Sequence, residues 1–375
     1  MVHAGLDLSR RRLDACLLSE RGEVVRELAV SPDGDGLAGL VARTRSVGPV
    51  GGVIESMTGA RFVHDTLEQL GWDVRIADAH RVKGLAPLAC KTDKTDARVL
   101  AILSHRELIP EIWLPDPRVR AEREQARFRL HLVKHKSMLK NRIHATLMSF
   151  GHPCPVSDLF GHAGRELLDS FEIPQPWRAA IDASVYMIDY LESEIAAVER
   201  TLRAGETDHP YVPVLLTLPG VGHVLAFTIA AEIGDITRFS SAKKLVGYTG
   251  LCPIVRQSGD SDRRGPISKQ GPKYLRWALL EATLHAVRHD AYRDRYQATK
   301  KRLGRQRGAK VAQIDIARKL AEATWHMCSP TNSPSTPPAK LREAPQAFWP
   351  PDGPRLNCAP AGPPNVAPSS QKRTR

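Results

Sequence analysis

The first 110 residues alternate between short apolar strands and amphipathic helices. Apolar and polar positions alternate through residues 2–30, which predicts a three-stranded meander. A helix is predicted from about Gly36 to Arg45, and the apolar run VGGVIE after it predicts a buried strand that ends on Glu55. The segments FVHDTLEQL, WDVRIAD and TDARVLAIL then predict a helix, a strand and a second helix. Antiparallel strands followed by alternating helices and strands favour an α/β layered fold.

The middle of the chain predicts two long helices. Apolar residues recur at three- and four-residue steps from Arg118 to Phe150 and again from Trp177 to Leu202. This spacing is typical of helices that pair as a coiled-coil-like hairpin, which would link or dimerise the chain. After His209 the pattern predicts a mostly helical unit, with a Gly-Val-Gly turn between two apolar helices and a polar loop, RQSGDSDRRGPISKQG.

These changes of pattern divide the chain into four predicted parts. Residues 1–110 form an α/β domain, 111–208 a helical linker or dimerisation region, and 209–328 a mostly α-helical domain with a helix-hairpin-helix element. Residues 329–375 hold 12 of the 28 prolines without an apolar period, and this composition is typical of a disordered tail.

Composition and charge indicate the class of partner. Of 375 residues, 42% are hydrophobic and 25% are charged, as in folded globular proteins. No apolar run approaches the roughly 18–20 residues of a membrane span, and the N-terminus lacks the order of a signal peptide, so we expect a cytoplasmic protein without a membrane partner. The net charge of +13 favours a polyanion, and nucleic acid is the usual one. Six scattered cysteines without a C-x-x-C pair indicate neither a disulfide framework nor a zinc site.

Four acidic residues of the first part carry candidate chemistry. Asp7 lies within a predicted strand, where a buried carboxylate is costly unless it is compensated, and Glu55 ends another buried strand. Asp93 and Asp96 are three residues apart at the start of a predicted helix and so share one of its faces. Carboxylates that converge from two strands and a helix would suit a hard divalent cation, Mg²⁺ or Mn²⁺. A pair of such ions can stabilise both oxygens of a phosphoryl displacement.

Simpler roles remain open for each of these residues taken alone. Asp93 or Asp96 could cap the helix N-terminus, and Asp7 could be a surface residue of an edge strand. Asp14 and Asp78 are interpreted as surface carboxylates. The order strand, strand, helix weakens the simpler roles when the four residues are taken together.

The polar loop is the second candidate region. Ser258 lies between Gln257 and Gly259, and a serine that attacks a phosphodiester needs nearby cations to stabilise the developing charge. A flexible phosphate-binding loop is the simpler interpretation from spacing alone. The absence of a G-x-S-x-G elbow and of a Ser-His-Asp order argues against an ester hydrolase. The loop supplies four cationic side chains: Arg256, Arg263, Arg264 and Lys269.

Further nucleic-acid contacts are predicted outside that loop. Backbone N–H groups of the turn at Gly220 and Gly222 could bind a phosphate, although an ordinary helix connection is equally open. The basic segments 118–142 and 293–310 carry charge of one sign, which favours contact with a nucleic-acid backbone over a merely solvated surface. Two lysines follow the glycine turn and would add to phosphate binding: Lys243 and Lys244.

Several motifs together resemble a known family. GLDLS, VIES and KTDKTDAR are followed by LPGVGHVLAFTIAAEIGDITRFSSAKKLVGYTGLCP and QSGDSDRRGPISKQGPKYLRWALLEA. In this order they resemble the DEDD-type insertion-sequence transposases, a group that includes the Piv-like DNA invertases. The resemblance covers about residues 1–328, and the long C-terminal block is its most specific part.

The resemblance implies a RuvC-like, RNase H-type fold for the first domain. A coiled-coil region and a C-terminal transposase domain would follow it. Four residues of this chain match the family's metal-coordinating D-E-D-D tetrad, which implies Mg²⁺ as the cofactor: Asp7, Glu55, Asp93 and Asp96.

The resemblance also implies a serine nucleophile in the segment QSGDSD. Ser258 is the first choice by position and Ser261 the second. The serine would attack double-stranded DNA and form a transient covalent phosphoserine. Further implications are a site assembled from two subunits of a homo-oligomer (a dimer or tetramer), a structured guide RNA, and association with the nucleoid.

The sequence therefore predicts a transposase that cuts and rejoins DNA without ATP, in agreement with its lack of a P-loop motif. The first alternative is a junction-resolving nuclease that uses the same tetrad with water as nucleophile. In that case Ser258→Ala would retain cleavage and Asp7→Ala would abolish it. The second alternative is an inactive nucleic-acid-binding protein, which would show salt-sensitive binding and no metal-dependent strand breakage.

Overall fold

A five-stranded sheet forms the first part of the protein. The computed structural model describes residues 1–85, 92–152, 154–259 and 261–330. The strands are β1 (Val2–Leu8), β2 (Leu13–Leu18), β3 (Val24–Val30), β4 (Val50–Glu55) and β5 (Asp73–Ala77). Their order is β3-β2-β1-β4-β5, with β1, β2 and β3 as an antiparallel meander and with β4 and β5 parallel to β1. The predicted α/β layers are confirmed, and the arrangement is consistent with an RNase H-like fold.

Helices cover both faces of this sheet. The alternation of β1 places Ala4 and Leu6 in a core with Leu37 and Leu67 of two helices, whereas Gly5 faces a third helix on the other side. A short helix that the sequence pattern did not predict follows β5. The helices of this part are α1 (Gly34–Thr44), α2 (Ala60–Gln69), α3 (Ala79–Leu85) and α4 (Asp93–His105).

Helix α4 lies directly on β1 and runs antiparallel to it. A Cβ at Gly5 would lie 1.9 Å from the carbonyl oxygen of Ala97 and 2.3 Å from the amide nitrogen of Ala101, so this close approach requires glycine. Further along α4, Ser104 Oγ lies 3.2 Å from His3 Nδ1, near the start of β1. The first turn of α4 is therefore directed toward the carboxyl end of β1.

Two long helices, α5 (Pro117–Ser149) and α7 (Trp177–Ala204), pack against each other, as predicted within a few residues. The shorter α6 (His162–Ser170) lies between them in sequence. Arg129 NH2 and Glu199 Oε1 form an ion pair across α5 and α7 at 2.7 Å. Coiled-coil geometry stays a prediction. An apolar cluster stabilises this helical region: Ile143, Leu147, Leu159, Leu168, Ile173, Ile181 and Ile188.

The C-terminal part of the described chain packs several helices around one apolar core. Leu279 and Leu320 are fully buried at its centre. Gly304, with φ 76° and ψ 178°, kinks the last helix. No helix in the described ranges combines the length and apolarity that crossing a bilayer requires. The helices are α8 (Val212–Leu215), α9 (His223–Ile233), α10 (Ala242–Tyr248), α11 (Lys273–Ala286) and α12 (Asp290–Cys328).

The prediction of a polar loop after α10 is wrong, because most of that segment is a β-hairpin. Strands β6 (Pro253–Ser258) and β7 (Ser261–Ile267) pair antiparallel. An apolar-polar alternation signals a strand only when one face is buried, and both faces of this hairpin are exposed. The predicted Pro-rich tail lies outside the described residues apart from Ser329 and Pro330.

Candidate active site and nucleic-acid interface

Two carboxylates lie at the carboxyl ends of neighbouring parallel strands: Glu55 is the last residue of β4, and Asp7 is the last but one of β1. The register of β1 and β4 pairs Gly5 with Val53, and Asp7 and Glu55 each follow two residues later. Side chains of a strand alternate between faces, so Asp7 shares the face of Gly5, and Glu55 shares the face of Val53, which packs with α4 residues. Both carboxylates therefore lie at the same end of the sheet and on the face that α4 covers.

Helix α4 brings two more carboxylates to this corner. Asp93 and Asp96 lie in its first turn, over the end of β1 that carries Asp7. The N-cap is Thr92, whose side chain accepts a hydrogen bond from the backbone nitrogen of Thr95 at 3.3 Å, so neither aspartate has the capping role. The positive end of the helix dipole favours negative charge at both positions. We call this corner, with its four acidic residues, the tetrad corner.

The tetrad corner offers the oxygen donors that Mg²⁺ and Mn²⁺ prefer. Within the described ranges, no three His, Cys, Asp or Glu side chains are grouped so that they could hold a metal ion. The fold thus brings the four positions to one corner of the sheet, while their side chains are not gathered as a ligand set. The donor chemistry of the corner fits a divalent cation.

A fifth carboxylate lies at this corner, which the sequence analysis does not predict. Asp14 is 3% exposed, not a surface residue, and lies directly opposite Asp7 in the β1–β2 pair, so the two share a face. Arg12 NH2 donates to Asp14 Oδ1 at 2.6 Å, and Oδ2 is buried without a hydrogen-bond partner. The hydrogen bond to Asp14 raises the pKa of Arg12, and the charge of Asp93 adds to the effect. The apolar strand LDACLL around Asp14 is the signal that could have revealed it.

The β6–β7 hairpin is exposed except at its base, where Ile267 packs half-buried against the C-terminal core. Every described residue from Ile254 to Pro266 is exposed, including apolar Val255 at 53%. A two-stranded hairpin without a covered face is marginally stable in water. This geometry therefore favours a partner that covers the hairpin.

One face of the hairpin combines both candidate serines with two arginines. Ser258 lies opposite Ser261, and Arg256 lies opposite Arg263. Residues two apart on a strand share a face, so all four side chains are on the same side, which we call the serine face. Like charges directly opposite each other destabilise a strand pair, and an anion bound between them removes this cost. The serine face is therefore suited to a phosphate.

The two remaining cations of the predicted loop lie elsewhere. Arg264 is on the opposite face, where its NH2 lies 3.3 Å from Asp262 Oδ2. Lys269 is exposed and adopts a φ of 55°, which is uncommon for a residue other than glycine. Its backbone nitrogen donates to the carbonyl oxygen of Gly250 at 3.0 Å. The structure therefore does not place these two side chains beside Ser258.

The glycines of the Gly-Val-Gly turn have different environments. Gly220 has a φ of 83°, and a Cβ there would lie 2.2 Å from Ala282 O and 2.7 Å from Ala286 N, so packing against α11 explains this glycine. Gly222 is exposed and is the N-cap residue of α9, where first-turn N–H groups can bind an anion. Two exposed lysines lie in α10: Lys243 and Lys244.

The basic first half of α5 contacts protein. Arg127 donates from Nε and NH2 to the two carboxylate oxygens of Glu232, at 2.7 and 3.0 Å, and Glu232 is fully buried. Burial opposes the charge of Arg127, but the hydrogen bonds and charge of Glu232 outweigh it and raise its pKa. Arg123 donates to the carbonyl oxygens of Ala231 and Glu232. These two arginines therefore join α5 to α9, and nucleic-acid contact by the basic segment 118–142 stays a prediction.

Two family profiles match this chain. Residues 4–151 match the DEDD profile of the IS110 group, described as a transposase. Residues 212–298 match the profile described as the transposase IS116/IS110/IS902 family. The first match includes the tetrad corner, and the second includes the Gly-Val-Gly turn and the hairpin. The chain belongs to the IS110 family of DEDD-type transposases.

Relatives of this transposase support the assignment. It is 26% identical to a "Probable family 20 transposase" of Pseudomonas aeruginosa, over 74% of this chain and 83% of the relative. It is 27% identical to the transposase for insertion sequence element IS1328 of Yersinia enterocolitica, over 72% and 81%. The transposase for IS1111A of Coxiella burnetii is 24% identical, over 86% and 88%. Family membership makes this protein a DNA-processing enzyme and confirms the resemblance of the motifs.

Proposed function

We propose that this transposase cuts and rejoins double-stranded DNA at the ends of an insertion sequence, with Ser258 as the nucleophile and the tetrad corner as its metal site. The observation that carries the proposal is the serine face, where two opposed arginines accompany Ser258 on an exposed hairpin. The tetrad corner supports it with carboxylates from two strands and one helix on a single face of the sheet.

The tetrad corner would bind the cation. Asp7, Glu55, Asp93 and Asp96 would hold Mg²⁺ or Mn²⁺. A bound cation supplies Lewis-acid stabilisation of negative charge on a phosphate. The protein contributes rigid positions, since β1 and β4 are adjacent in the sheet and α4 packs against the backbone of Gly5. The positive end of the α4 dipole points toward this corner, where it attracts negative charge.

Ser258 would carry out the covalent step. Its Oγ forms a bond to phosphorus while the bond from phosphorus to a deoxyribose oxygen breaks. The hydroxyl proton passes to a carboxylate acting as base, and the departing oxygen takes up a proton to become a free hydroxyl. Arg256 and Arg263 stabilise the charge that develops on the phosphate. Rejoining reverses these steps at a new DNA end, so the energy of the phosphodiester is kept and no ATP is consumed.

The serine and the carboxylates lie on different units of the fold, which supports assembly of the site from two subunits. The exposed hairpin would be covered by DNA and by the tetrad corner of another copy in a dimer or tetramer. The net charge of +13 supports nucleic-acid partners. A structured guide RNA that pairs with donor and target DNA would complete the assembly.

A covalent-adduct assay tests this function. The protein is expressed with its native flanking DNA, mixed with DNA spanning the element junction and Mg²⁺, and run on a denaturing gel. We expect a protein–DNA adduct for wild type, and its loss in Ser258→Ala and Asp7→Asn. Ser261→Ala is the matched control across the hairpin turn and should retain the adduct.

Other results of the assay would contradict the proposal in distinct ways. Loss of the adduct in Ser261→Ala alone would move the nucleophile to Ser261. Cleaved ends without an adduct, which persist in Ser258→Ala, would indicate a nuclease that uses water. Binding of DNA or RNA with neither cleavage nor adduct would indicate a nucleic-acid-binding protein without catalysis.

A further inference from the structure

The turn between β1 and β2 carries three consecutive arginines beside the tetrad corner. Arg10, Arg11 and Arg12 are all exposed, and they follow directly on the strand that holds Asp7. The nucleic-acid contacts predicted from the sequence all lie in later parts of the chain. In the sequence, this run begins two residues after the end of β1.

Arg12 is fixed through both its backbone and its side chain. Its carbonyl oxygen accepts hydrogen bonds from Ser9 N at 2.8 Å and Ser9 Oγ at 2.9 Å. Its guanidinium donates to the buried Asp14 at 2.6 Å, although the Arg12 side chain is itself 49% exposed. A guanidinium has five N–H donors, so one bond to Asp14 leaves donors that can reach a phosphate.

The surroundings of Arg12 link it to the start of α4. A cavity of about 130 Å³ beside the sheet is lined by Arg12, Asp14, Glu27 and Lys94, the last of which lies in the first turn of α4. The charge of Asp93 also acts on Arg12. Arg12 and Lys94 therefore provide two cations at the edge of the tetrad corner. A DNA strand whose phosphate lay at that corner would pass beside them.

We propose that the Arg10–Arg12 turn binds the DNA backbone next to the phosphate that is processed, with Arg12 as the phosphate contact and Asp14 as its positioning residue. This inference rests on the proposed function, because that function brings DNA to the tetrad corner. Asp14 holds the guanidinium before DNA arrives, so less side-chain freedom is lost on binding. DNA is favoured over RNA because the turn adjoins the carboxylates that would act on DNA.

Salt-dependent binding tests the phosphate contact without catalysis. The affinity of the full chain for duplex DNA of an element end is measured without divalent cations over a series of salt concentrations. Arg12→Ala should weaken binding about tenfold and lower the slope of log affinity against log salt by about one. The matched control is Arg21→Ala, an exposed arginine in the β2–β3 turn at the opposite end of the sheet, which should change neither value.

Asp14→Asn tests the positioning role. The variant keeps the side-chain shape but removes the charge that holds Arg12, so a loss of about threefold in affinity is expected. Combined with Arg12→Ala it should add nothing, because Asp14 acts through Arg12. Thermal unfolding of each variant shows whether it folds. A partly unfolded sample lowers the active fraction but leaves the salt slope unchanged, so the slope separates the two causes.

The outcomes separate this inference from the proposed function. Equal salt slopes for wild type, Arg12→Ala and Arg21→Ala would overturn the phosphate contact. An effect of Arg12→Ala on a structured RNA but not on duplex DNA would overturn the choice of DNA. An Arg12-dependent slope in a protein that yields no cleavage when Mg²⁺ is added would support the contact and contradict the proposed function.

Discussion

The tetrad corner and the serine face differ in how the fold supports them. Asp7 and Glu55 lie at the carboxyl ends of adjacent strands in a sheet covered on both faces, and α4 contacts the backbone of β1 at Gly5. Ser258 lies on a two-stranded hairpin whose described residues from 254 to 266 are all exposed. The protein's own core fixes the first site, whereas the second lacks a covering layer within the described chain.

This difference suggests that the two sites are positioned in different ways. A site fixed by packing can hold charged groups in defined positions before substrate binds. A hairpin with opposed arginines becomes favourable only when an anion and a covering surface are present. Under the proposed function, folding would build the metal site, and assembly would position the nucleophile. Strand cleavage then cannot occur before DNA and protein have come together.

The largest expected effect is the loss of strand cleavage when a carboxylate of the tetrad corner is replaced. Asp7→Asn removes a charged oxygen donor and should slow Mg²⁺-dependent strand cleavage about 1,000-fold or more. Asp78→Asn is the matched control: Asp78 follows β5 and accepts hydrogen bonds from the backbone of His80 and Arg81, so cleavage should stay within about twofold. Equal losses in the two variants would show that the corner has no special role.

The next largest effect is expected on stability, when the ion pair that joins α5 to the C-terminal core is broken. Arg127→Met leaves Glu232 fully buried without its cation, which should lower the free energy of unfolding by about 3–5 kcal/mol. In Arg129→Met the carboxylate of Glu199 can be solvated, so about 1 kcal/mol or less is expected. Urea denaturation measures both values. Equal losses would mean that the buried pair does not anchor α5.

The close packing of α4 on β1 is tested by a single methyl group. Gly5→Ala would place a Cβ 1.9 Å from the carbonyl oxygen of Ala97 in α4. This clash should lower the free energy of unfolding by about 2–3 kcal/mol. Gly39→Ala, at a helical position of α1 with open space around it, should instead stabilise the protein by about 0.5–1 kcal/mol. Thermal unfolding compares them. A tolerated Gly5→Ala would contradict the rigid support of the tetrad corner.

The smallest expected change in stability is at the hairpin turn. Gly259 has a φ of 54°, so Gly259→Ala should cost about 1 kcal/mol in the hairpin itself. Because the hairpin contributes little to the core, the unfolding midpoint should move by less than about 2 °C, while adduct formation slows. Gly265→Ala in β7 has no positive φ and should affect adduct formation less. A large fall in the midpoint for Gly259→Ala would show that the hairpin is part of the stable core.

Patterns along the chain predicted much of the fold but less of the site geometry. The five strands and the long helices follow from the pattern of apolar residues. Strand β2 is buried on both faces, as is β4 up to Glu55, and Leu28 and Val30 of β3 pack half-buried against the core of the sheet. The apolar run LDACLL around Asp14 indicates a buried strand, but its position opposite Asp7 depends on strand pairing, which a local pattern does not show. The pattern of the hairpin predicts a loop because neither of its faces is buried. The partners of Arg127 and Arg123 come from α9, about 105 positions away, so their role could not be predicted locally.

The most direct test of the account is to identify the amino acid that becomes linked to DNA. The wild-type protein is incubated with junction DNA and Mg²⁺, the adduct is digested with protease and nuclease, and the peptide that carries the nucleotide is sequenced by mass spectrometry. We expect a nucleotide joined through its phosphate to Ser258 Oγ. This linkage should form with Mg²⁺, be absent when a chelator is added, and not form in Asp7→Asn. A linkage at another residue, or one that forms equally well in Asp7→Asn, would contradict it.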